Sequence, residues 1–457
     1  MISLPEQFIH NMKSRLDGDY PAYEKSFEQS SVKAFHCNSF YLSAKDCASL
    51  IKSDAELSSS VPIEGLDASF ITDSDHIGHT LLHHAGAVYS QDPSAMLPAG
   101  AVILDGNEKV LDLCAAPGGK SSQLAMKLNG PLGLLIANEP VMSRNRILIQ
   151  NMERMAYPNV LVSCMSPDEL ASHFPAYFDV VLCDAPCSGE GMFRKYPESI
   201  PEWSTDNVSL CASRQREILD NAVRLLKPGG LLIYSTCTYE KSENEDNVSY
   251  ILSAHPMSLV TPPEVITDNA VCTSDGCYTF YPHKYMGEGQ FVSYLRKDGV
   301  PTLSSLPAFN YKQSELKKLI SELGDSIDLD PSLLFKDRKG AVHLLPARAP
   351  LLPPSGFTMP GIMAFEISDK SKRIIPHHQL FKAAAGSFRY RLDLSDHRDM
   401  ALAYINGMEL NLSSLDISGI PNRVFLPVMY KGYVLGGGRI DRDRLKNLYP
   451  KGLRDHL

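Results

Sequence analysis

One tryptophan, ten cysteines and no excess of positive charge in 457 residues are the first constraints this sequence sets. Ten Cys in so long a chain is far below the density of a disulfide scaffold, and several sit inside apolar runs, as reduced thiols do. No apolar run approaches the ~20 residues of a membrane helix. The start, Met1-Ile-Ser-Leu-Pro-Glu6, has no basic stretch leading into a long apolar one, so a cytoplasmic protein is expected. Lys and Arg number 44 against 53 Asp and Glu, a net charge of -9, which excludes a simple basic-arm polyanion binder. What is present, 44% apolar and 21% charged residues, is ordinary for a globular chain of roughly two to four domains.

The charge is unevenly spread. Residues 351–457 hold 15 Lys and Arg against 10 Asp and Glu, a balance of +5, which leaves -14 on the first 350 residues. Within the tail, Lys431, Arg439, Arg442, Arg444, Lys446, Lys451 and Arg454 face only Asp441 and Asp443. By itself such a run reads as readily as a solvated face as a binding surface.

Apolar Phe8, Ile9, Met12 and Leu16 predict a helix over residues 1–28 that ends at Pro21. From Lys109 a repeating rhythm sets in. Short apolar runs (Val110-Leu-Asp-Leu-Cys, Leu134-Leu-Ile-Ala, Val160-Leu-Val, Val180-Val-Leu-Cys, Leu231-Leu-Ile-Tyr) alternate with helical patterns at Ser121–Leu128, Ser143–Met155 and Val208–Leu226. Strands separated by helices predict a mostly parallel, doubly wound α/β sheet, which binds ligands beyond the carboxyl ends of its strands. A further helix is predicted over residues 311–323, then a Pro-rich linker from Pro346 to Pro354. Short strand-like runs beyond it suggest a compact α+β or small barrel module.

The first strand runs through Cys114-Ala115-Ala116-Pro117-Gly118-Gly119-Lys120 into a helix. Glycines there let backbone N–H groups approach a ligand at a helix N-terminus. The spacing is neither a Walker loop nor a G-x-G-x-x-G fingerprint, which disfavours nucleoside triphosphate and NAD. Glu139, about 20 residues on at the end of the second strand, is placed to accept ribose hydroxyls. An adenosine-containing ligand without pyrophosphate fits, and S-adenosylmethionine is the commonest of these. The fourth strand ends in Asp184-Ala-Pro-Cys187 and the fifth in Ser-Thr-Cys237, so neighbouring strands bring two thiols to the ligand edge. Three residues separate Cys183 from Cys187 and no second pair follows, so no metal is expected there.

These residues carry a family resemblance. Leu111-Asp-Leu-Cys-Ala-Ala-Pro-Gly-Gly-Lys120, Asp184-Ala-Pro-Cys-Ser-Gly-Glu-Gly, Leu226-Lys-Pro-Gly-Gly, Tyr234-Ser-Thr-Cys-Thr and Pro282-His-Lys-Tyr-Met-Gly-Glu-Gly-Gln-Phe291 resemble the RNA (cytosine-carbon-5) methyltransferases of the NOP2/Sun (RsmB/NOP) family, and more narrowly its bacterial RsmF-type ribosomal RNA enzymes. Gln91-Asp-Pro-Ser-Ala-Met and the tail segment Leu445-Lys-Asn-Leu-Tyr-Pro-Lys-Gly-Leu-Arg454 are also similar to stretches of that family. The resemblance implies a Rossmann-like class I methyltransferase domain over residues 101–300. It also implies an N-terminal α+β RNA-binding region over 1–100, a helix and linker over 301–355, and a PUA-like RNA-binding module over 356–457.

It further implies 5-methylcytosine formation, most plausibly in small-subunit ribosomal RNA. Cys237 would be the nucleophile that adds to cytosine carbon 6, Cys187 would assist product release, and Asp184 and Lys120 would support them. Cofactor contacts would come from Cys114 to Lys120, Glu139 and Asp184. An adenine contact would come from Cys164, Ser166 or Asp168. Tyr430, Tyr433 and Tyr449 are expected to offer stacking faces among the tail's basic residues, and deleting residues 351–457 is expected to weaken RNA binding far more than cofactor binding. His79, His83 and His84 lack a completing ligand pattern and read as solvated or RNA-facing. The substrate side is expected to be ribosomal RNA, either free or within the small ribosomal subunit, with no membrane or DNA partner and a monomer favoured. Three alternatives stay open: a transfer RNA substrate, a DNA cytosine methyltransferase using the Pro-Cys thiol, and a non-catalytic assembly factor.

Overall fold

A computed structural model describes residues 4–300, 326–337, 340–347, 349–350, 356–367 and 374–454. The helix expected over 311–323, and residues 348 and 351–354 of the Pro-rich stretch, lie outside these. The chain opens with α1 (Glu6–Leu16) and a second helix, Tyr20–Ser26. Pro21 does not end the first helix as expected; it stands in the first turn of the second, where its missing N–H is harmless, and the break falls at Asp17, with φ 46°. A four-stranded antiparallel sheet follows, ordered Val61–Pro62, Ser69–Thr72, Lys33–Cys37, Val88–Ser90.

The central sheet has ten strands. Its core is built from β1 (Lys109–Asp112), β2 (Leu134–Asn138), β3 (Val160–Ser163), β4 (Phe178–Asp184) and β5 (Leu226–Thr236), paired in parallel in the order β3-β2-β1-β4-β5. β6 (Gln290–Lys297) pairs antiparallel with β5. On the far edge the three-residue strand β7 (Phe357–Met359) pairs antiparallel with β3. Two cores form because successive side chains point to opposite faces. Val110, Leu135, Val160, Val180 and Leu182 join the cluster on one face; Leu111, Leu134, Ile136, Leu161 and Val181 join that on the other. Helices cover both faces, which is why the strands read as unbroken apolar runs. The mostly parallel, Rossmann-like sheet expected from the sequence is therefore the observed one.

The helices that frame the site are α2 (Gly119–Lys127), α3 (Met142–Met155), α4 (Pro167–His173), α5 (Thr205–Leu225) and α6 (Glu245–Ala254). None of the described helices is long and apolar enough to cross a membrane.

Beyond β7 the chain builds a five-stranded sheet around Phe425–Tyr430, Tyr433–Asp441 and Arg444–Asn447. Its core is shared with the N-terminal region: Phe35, Leu81 and Leu82 cluster with Leu392, Tyr404 and Leu435. Tyr430, Tyr433 and Tyr449 belong to this core and are 2–3% exposed, so they are not the stacking faces expected of them. Tyr430 ends one strand and Tyr433 begins the next in a hairpin that packs on this core, and Tyr449 follows the next strand into it. His84 is held at the same seam, its Nδ1 3.2 Å from the Tyr449 hydroxyl, and His83 is half-buried; of the three histidines only His79 is exposed.

Candidate active site

The loop between β1 and α2 is shaped by Gly118. Its φ of 115° is left-handed, and a Cβ there would stand 2.9 Å from Met152 Cε. The backbone of Cys114 to Lys120 consequently packs close to α3 and presents the uncapped N–H groups of α2 to the sheet edge. Beneath the loop, Asn138 donates to the carbonyls of Leu113 and Met165 at 3.2 and 3.0 Å, tying the ends of β1, β2 and β3 together.

Glu139 follows β2 and is buried. Its Oε1 accepts from the Val141 N–H at 3.0 Å, and its Oε2 lies 3.0 Å from Arg144 Nη1 without a hydrogen bond. A buried carboxylate oxygen ion-paired with Arg144 but without a hydrogen bond, on the wall of a cavity of about 660 Å³, can accept from a ribose hydroxyl. The residues present thus fit the adenosine portion of S-adenosylmethionine. Ser166 and Asp168 line this cavity. Ser166 caps α4, accepting from the Glu169 N–H, and Asp168 pairs with Arg224 at 2.8 Å. Cys164 instead directs its thiol to the Pro140 carbonyl, 3.5 Å away.

At the other end of the cavity the Cys187 and Cys237 sulfurs are 3.2 Å apart. Asp184, at the end of β4, accepts from Lys120 Nζ at 2.8 Å through Oδ2, and from Ser235 Oγ (2.6 Å) and Gln290 Nε2 (3.0 Å) through Oδ1. Hydrogen bonding to the Cys237 sulfur and burial push the Cys187 thiol well up. Burial works to lower the Lys120 pKa, but Asp184 and then Cys237 outweigh it and hold the ammonium above its ordinary range. Lys120 therefore stays a cation beside the thiols.

Two buried carboxylates fix the cysteine loops. Glu190 accepts from Trp203 Nε1, Thr238 Oγ1 and the Tyr239 N–H, and the Gly191 N–H reaches the Cys237 carbonyl at 2.8 Å. Glu243 accepts from the Ser188 N–H and from Gln215 Nε2, which also donates to the Pro186 carbonyl. Gly289, at φ 126°, lies against Tyr239, where a Cβ would stand 2.0 Å from the hydroxyl.

Ser235, Gln290, Glu190, Glu243 and Arg214 were not singled out from the sequence as site residues. Ser235, Gln290 and Glu190 lie inside matched motifs, which was the available signal; Glu243 and Arg214 come from elements whose contacts only folding defines. Arg214 of α5 lines the cavity with no ion pair to another described residue.

Asp112, at the end of β1, gives a stability test. Its Oδ2 accepts from Ser121 Oγ at 2.6 Å, its Oδ1 has no partner, and burial above all pushes its pKa up to about 7. A carboxyl raised on folding favours the folded state fully below its unfolded value of about 4, and that contribution is lost as pH rises toward about 7. In calorimetric melts from pH 4 to 8, Asp112→Asn is expected to gain on the parent up to about pH 7 and then run parallel to it. Parallel melting curves throughout would show that Asp112 does not titrate in this window.

Comparison with known proteins agrees with this geometry. The sequence profile of the 16S rRNA methyltransferase RsmB/F family matches residues 101–296, and that of the N-terminal domain of 16S rRNA methyltransferase RsmF matches residues 4–93. Ribosomal RNA small subunit methyltransferase F of Cronobacter sakazakii is 32% identical over 82% of this chain and 80% of its own. The Vibrio vulnificus protein of the same name is 30% identical over 99% and 98%. In structure, NSun6 from Pyrococcus horikoshii, solved with an S-adenosylmethionine analogue, shares the fold at a TM-score of 0.57 and 19% identity, over 65% of this chain and all of its own. The chain belongs to the ribosomal RNA small subunit methyltransferase F family of S-adenosylmethionine-dependent methyltransferases.

Proposed function

We propose that this protein methylates carbon 5 of a cytosine in small-subunit ribosomal RNA. The observation that carries the reading is the Cys187–Cys237 pair, 3.2 Å apart beside Asp184 and Lys120, on the wall of the cavity that ends at Glu139.

Cytosine carbon 5 is too poor a nucleophile to accept a methyl group unaided, and a thiolate bonded to carbon 6 makes it enamine-like. Cys237 supplies that thiolate, with the Lys120 cation favouring its charge. Asp184, held by Lys120, Ser235 and Gln290, faces the position of the ring and its amino group, where it favours the charge distribution of the adduct. S-adenosylmethionine, when bound, supplies an electrophilic methyl group. Cys187, having released its own proton to solvent, accepts the carbon 5 proton on its sulfur; the C–H electron pair forms the carbon 5–carbon 6 double bond, and the sulfur–carbon 6 bond breaks with its electron pair returning to Cys237. Glu139 and the backbone of Cys114 to Lys120 hold the cofactor, with Ser166 or Asp168 next to the adenine.

The target base must leave its stack, at a cost of a few kcal/mol that RNA contacts outside the sheet offset. Arg214, with no ion pair to another described residue, is placed to take a phosphate. Arg214→Ala is expected to raise KM for ribosomal RNA about tenfold, the scale of one charge-assisted contact, while calorimetric cofactor affinity holds. Loss of cofactor affinity instead would assign Arg214 to the cofactor. Bisulfite sequencing of total RNA with and without the protein tests the whole reading: a protein-dependent 5-methylcytosine in 16S rRNA is expected. A protein-dependent site found only in transfer RNA would refute the substrate.

A further inference from the structure

A second cleft opens on the same edge of the sheet as the thiols. Phe291 of β6 pairs with Thr236, so the segment entering β6 lies at the end of β5 that carries Cys237. α6 also begins at that edge. Between its first residue, the last turn of α1 and the strand Val271–Ser274 lies a cavity of about 350 Å³. Tyr281, His283 and Lys284 line it, so part of the matched Pro282–Phe291 motif faces this cleft while its Gln290 reaches Asp184.

Several polar groups here are unmet. Glu245 has a side chain only 6% exposed; its Oε1 pairs with Arg15, and its Oε2 has no hydrogen bond. Thr273 Oγ1 and both ring nitrogens of His283 are also buried without partners. Each such group costs about 1–3 kcal/mol unless something meets it. At the rim, Lys241 and Lys284 are 69% and 42% exposed and pair with Asp246 and Asp19. Exposed pairs of this kind contribute little, so either ammonium can be redirected to a phosphate. Only three residues separate Cys237 from Lys241, so their Cα atoms lie within about 14 Å of each other. Tyr281 of the cleft lining stacks on Tyr239, two residues after Cys237, with ring centroids 5.2 Å apart.

We propose that this cleft seats a nucleotide that flanks the target cytosine in the RNA strand. Its base donates to Glu245 Oε2 and meets Thr273 and His283, and its phosphate lies at Lys241 and Lys284. Splayed bases recognised along their edges are the usual basis of sequence-specific RNA recognition. The inference rests on RNA being the substrate, but its test does not depend on methyl transfer to carbon 5.

Thr273→Trp fills the cavity. Filter binding of 16S rRNA by this variant is expected to weaken at least tenfold, with calorimetric S-adenosylmethionine affinity within twofold of the parent. Thr273→Ser keeps the hydroxyl and is expected to bind as the parent does. Lys241→Ala/Lys284→Ala is expected to flatten the salt dependence of RNA binding by nearly two in log–log slope. Parent-like binding by Thr273→Trp overturns the proposal. Should that variant fail to fold, an unchanged salt slope in the lysine pair overturns it. Parent protein that binds rRNA here yet forms no 5-methylcytosine would refute the chemistry and leave the cleft standing.

Discussion

Replacing Cys237 with Ala is expected to abolish methyl transfer, while replacing Cys187 with Ala is expected to trap RNA on the protein. The two sulfurs are 3.2 Å apart and both line the same cavity, so proximity cannot assign their roles. The asymmetry lies in what surrounds them. Cys237 interacts with Lys120, whose own partner, Asp184, is anchored by Ser235 and Gln290. Cys187 sits where hydrogen bonding to the other sulfur and burial raise its pKa. A thiolate is the nucleophile, and the Lys120 cation favours one at Cys237, so Cys237 carries the attack.

The expected losses differ in kind. Without Cys237 no sulfur–carbon 6 bond forms, and the rate falls by the several orders of magnitude that follow removal of a covalent nucleophile. Without Cys187 the bond forms and the methyl group moves, but elimination stalls; a protein–RNA adduct that survives denaturing electrophoresis is expected. Cys187→Ala/Cys237→Ala should show no adduct. If Cys187→Ala abolished the adduct with Cys237 intact, the roles would be reversed, as in the DNA-type rival. Cofactor binding separates both outcomes from misfolding, because Glu139 and the Gly118 loop lie at the other end of the cavity.

Much of this arrangement is legible in the sequence because parallel strands buried on both faces must be apolar throughout and their ligand edge is fixed by topology. Val110, Leu134, Val160 and Val180 mark the strands, and the residues that follow them, Cys114, Glu139, Ser166 and Cys187, fall on one edge. What is not legible depends on contacts distant in sequence. Ser235 and Gln290 lie inside matched motifs, but that they meet on Asp184 from β5 and β6 is set by strand pairing, which no local pattern shows. β7 is three residues long, too short for a periodic signal. Tyr430 and Tyr433 face each other across the turn of a hairpin and enter a core shared with Leu81 and Leu82, which sequence cannot reveal. Aromatic residues between cations resemble a stacking surface until strand direction is known.

That shared core also changes the result expected from removing the tail. Deletion of residues 351–457 takes away β7, whose partner β3 leads directly into the cavity residues Ser166 and Asp168, and the Gly356 carbonyl that accepts from the Cys164 N–H at 2.7 Å. It also strips the apolar cover from Phe35, Leu81 and Leu82. Each large side chain so exposed forfeits about 1.5–3 kcal/mol against a total stability of about 5–15 kcal/mol. The deleted protein is therefore expected to lose cofactor binding and cooperative melting along with RNA binding, and the selective loss anticipated from charge alone should not appear. A surface variant isolates the electrostatic contribution. Lys431 pairs with Asp54, Lys446 with Asp441, and Arg454 donates to the Tyr449 carbonyl, whereas Arg442, Arg444 and Lys451 are exposed with no ion pair to another described residue. Arg442 has a φ of 59°, so Asn is the tolerated replacement there. Arg442→Asn/Arg444→Glu/Lys451→Glu is expected to keep the parent melting temperature and cofactor affinity, weaken rRNA binding about tenfold or more, and lower the log–log salt slope by about three. An unchanged slope would place the RNA path elsewhere and leave the tail as a structural clamp between the N-terminal region and the edge of the sheet.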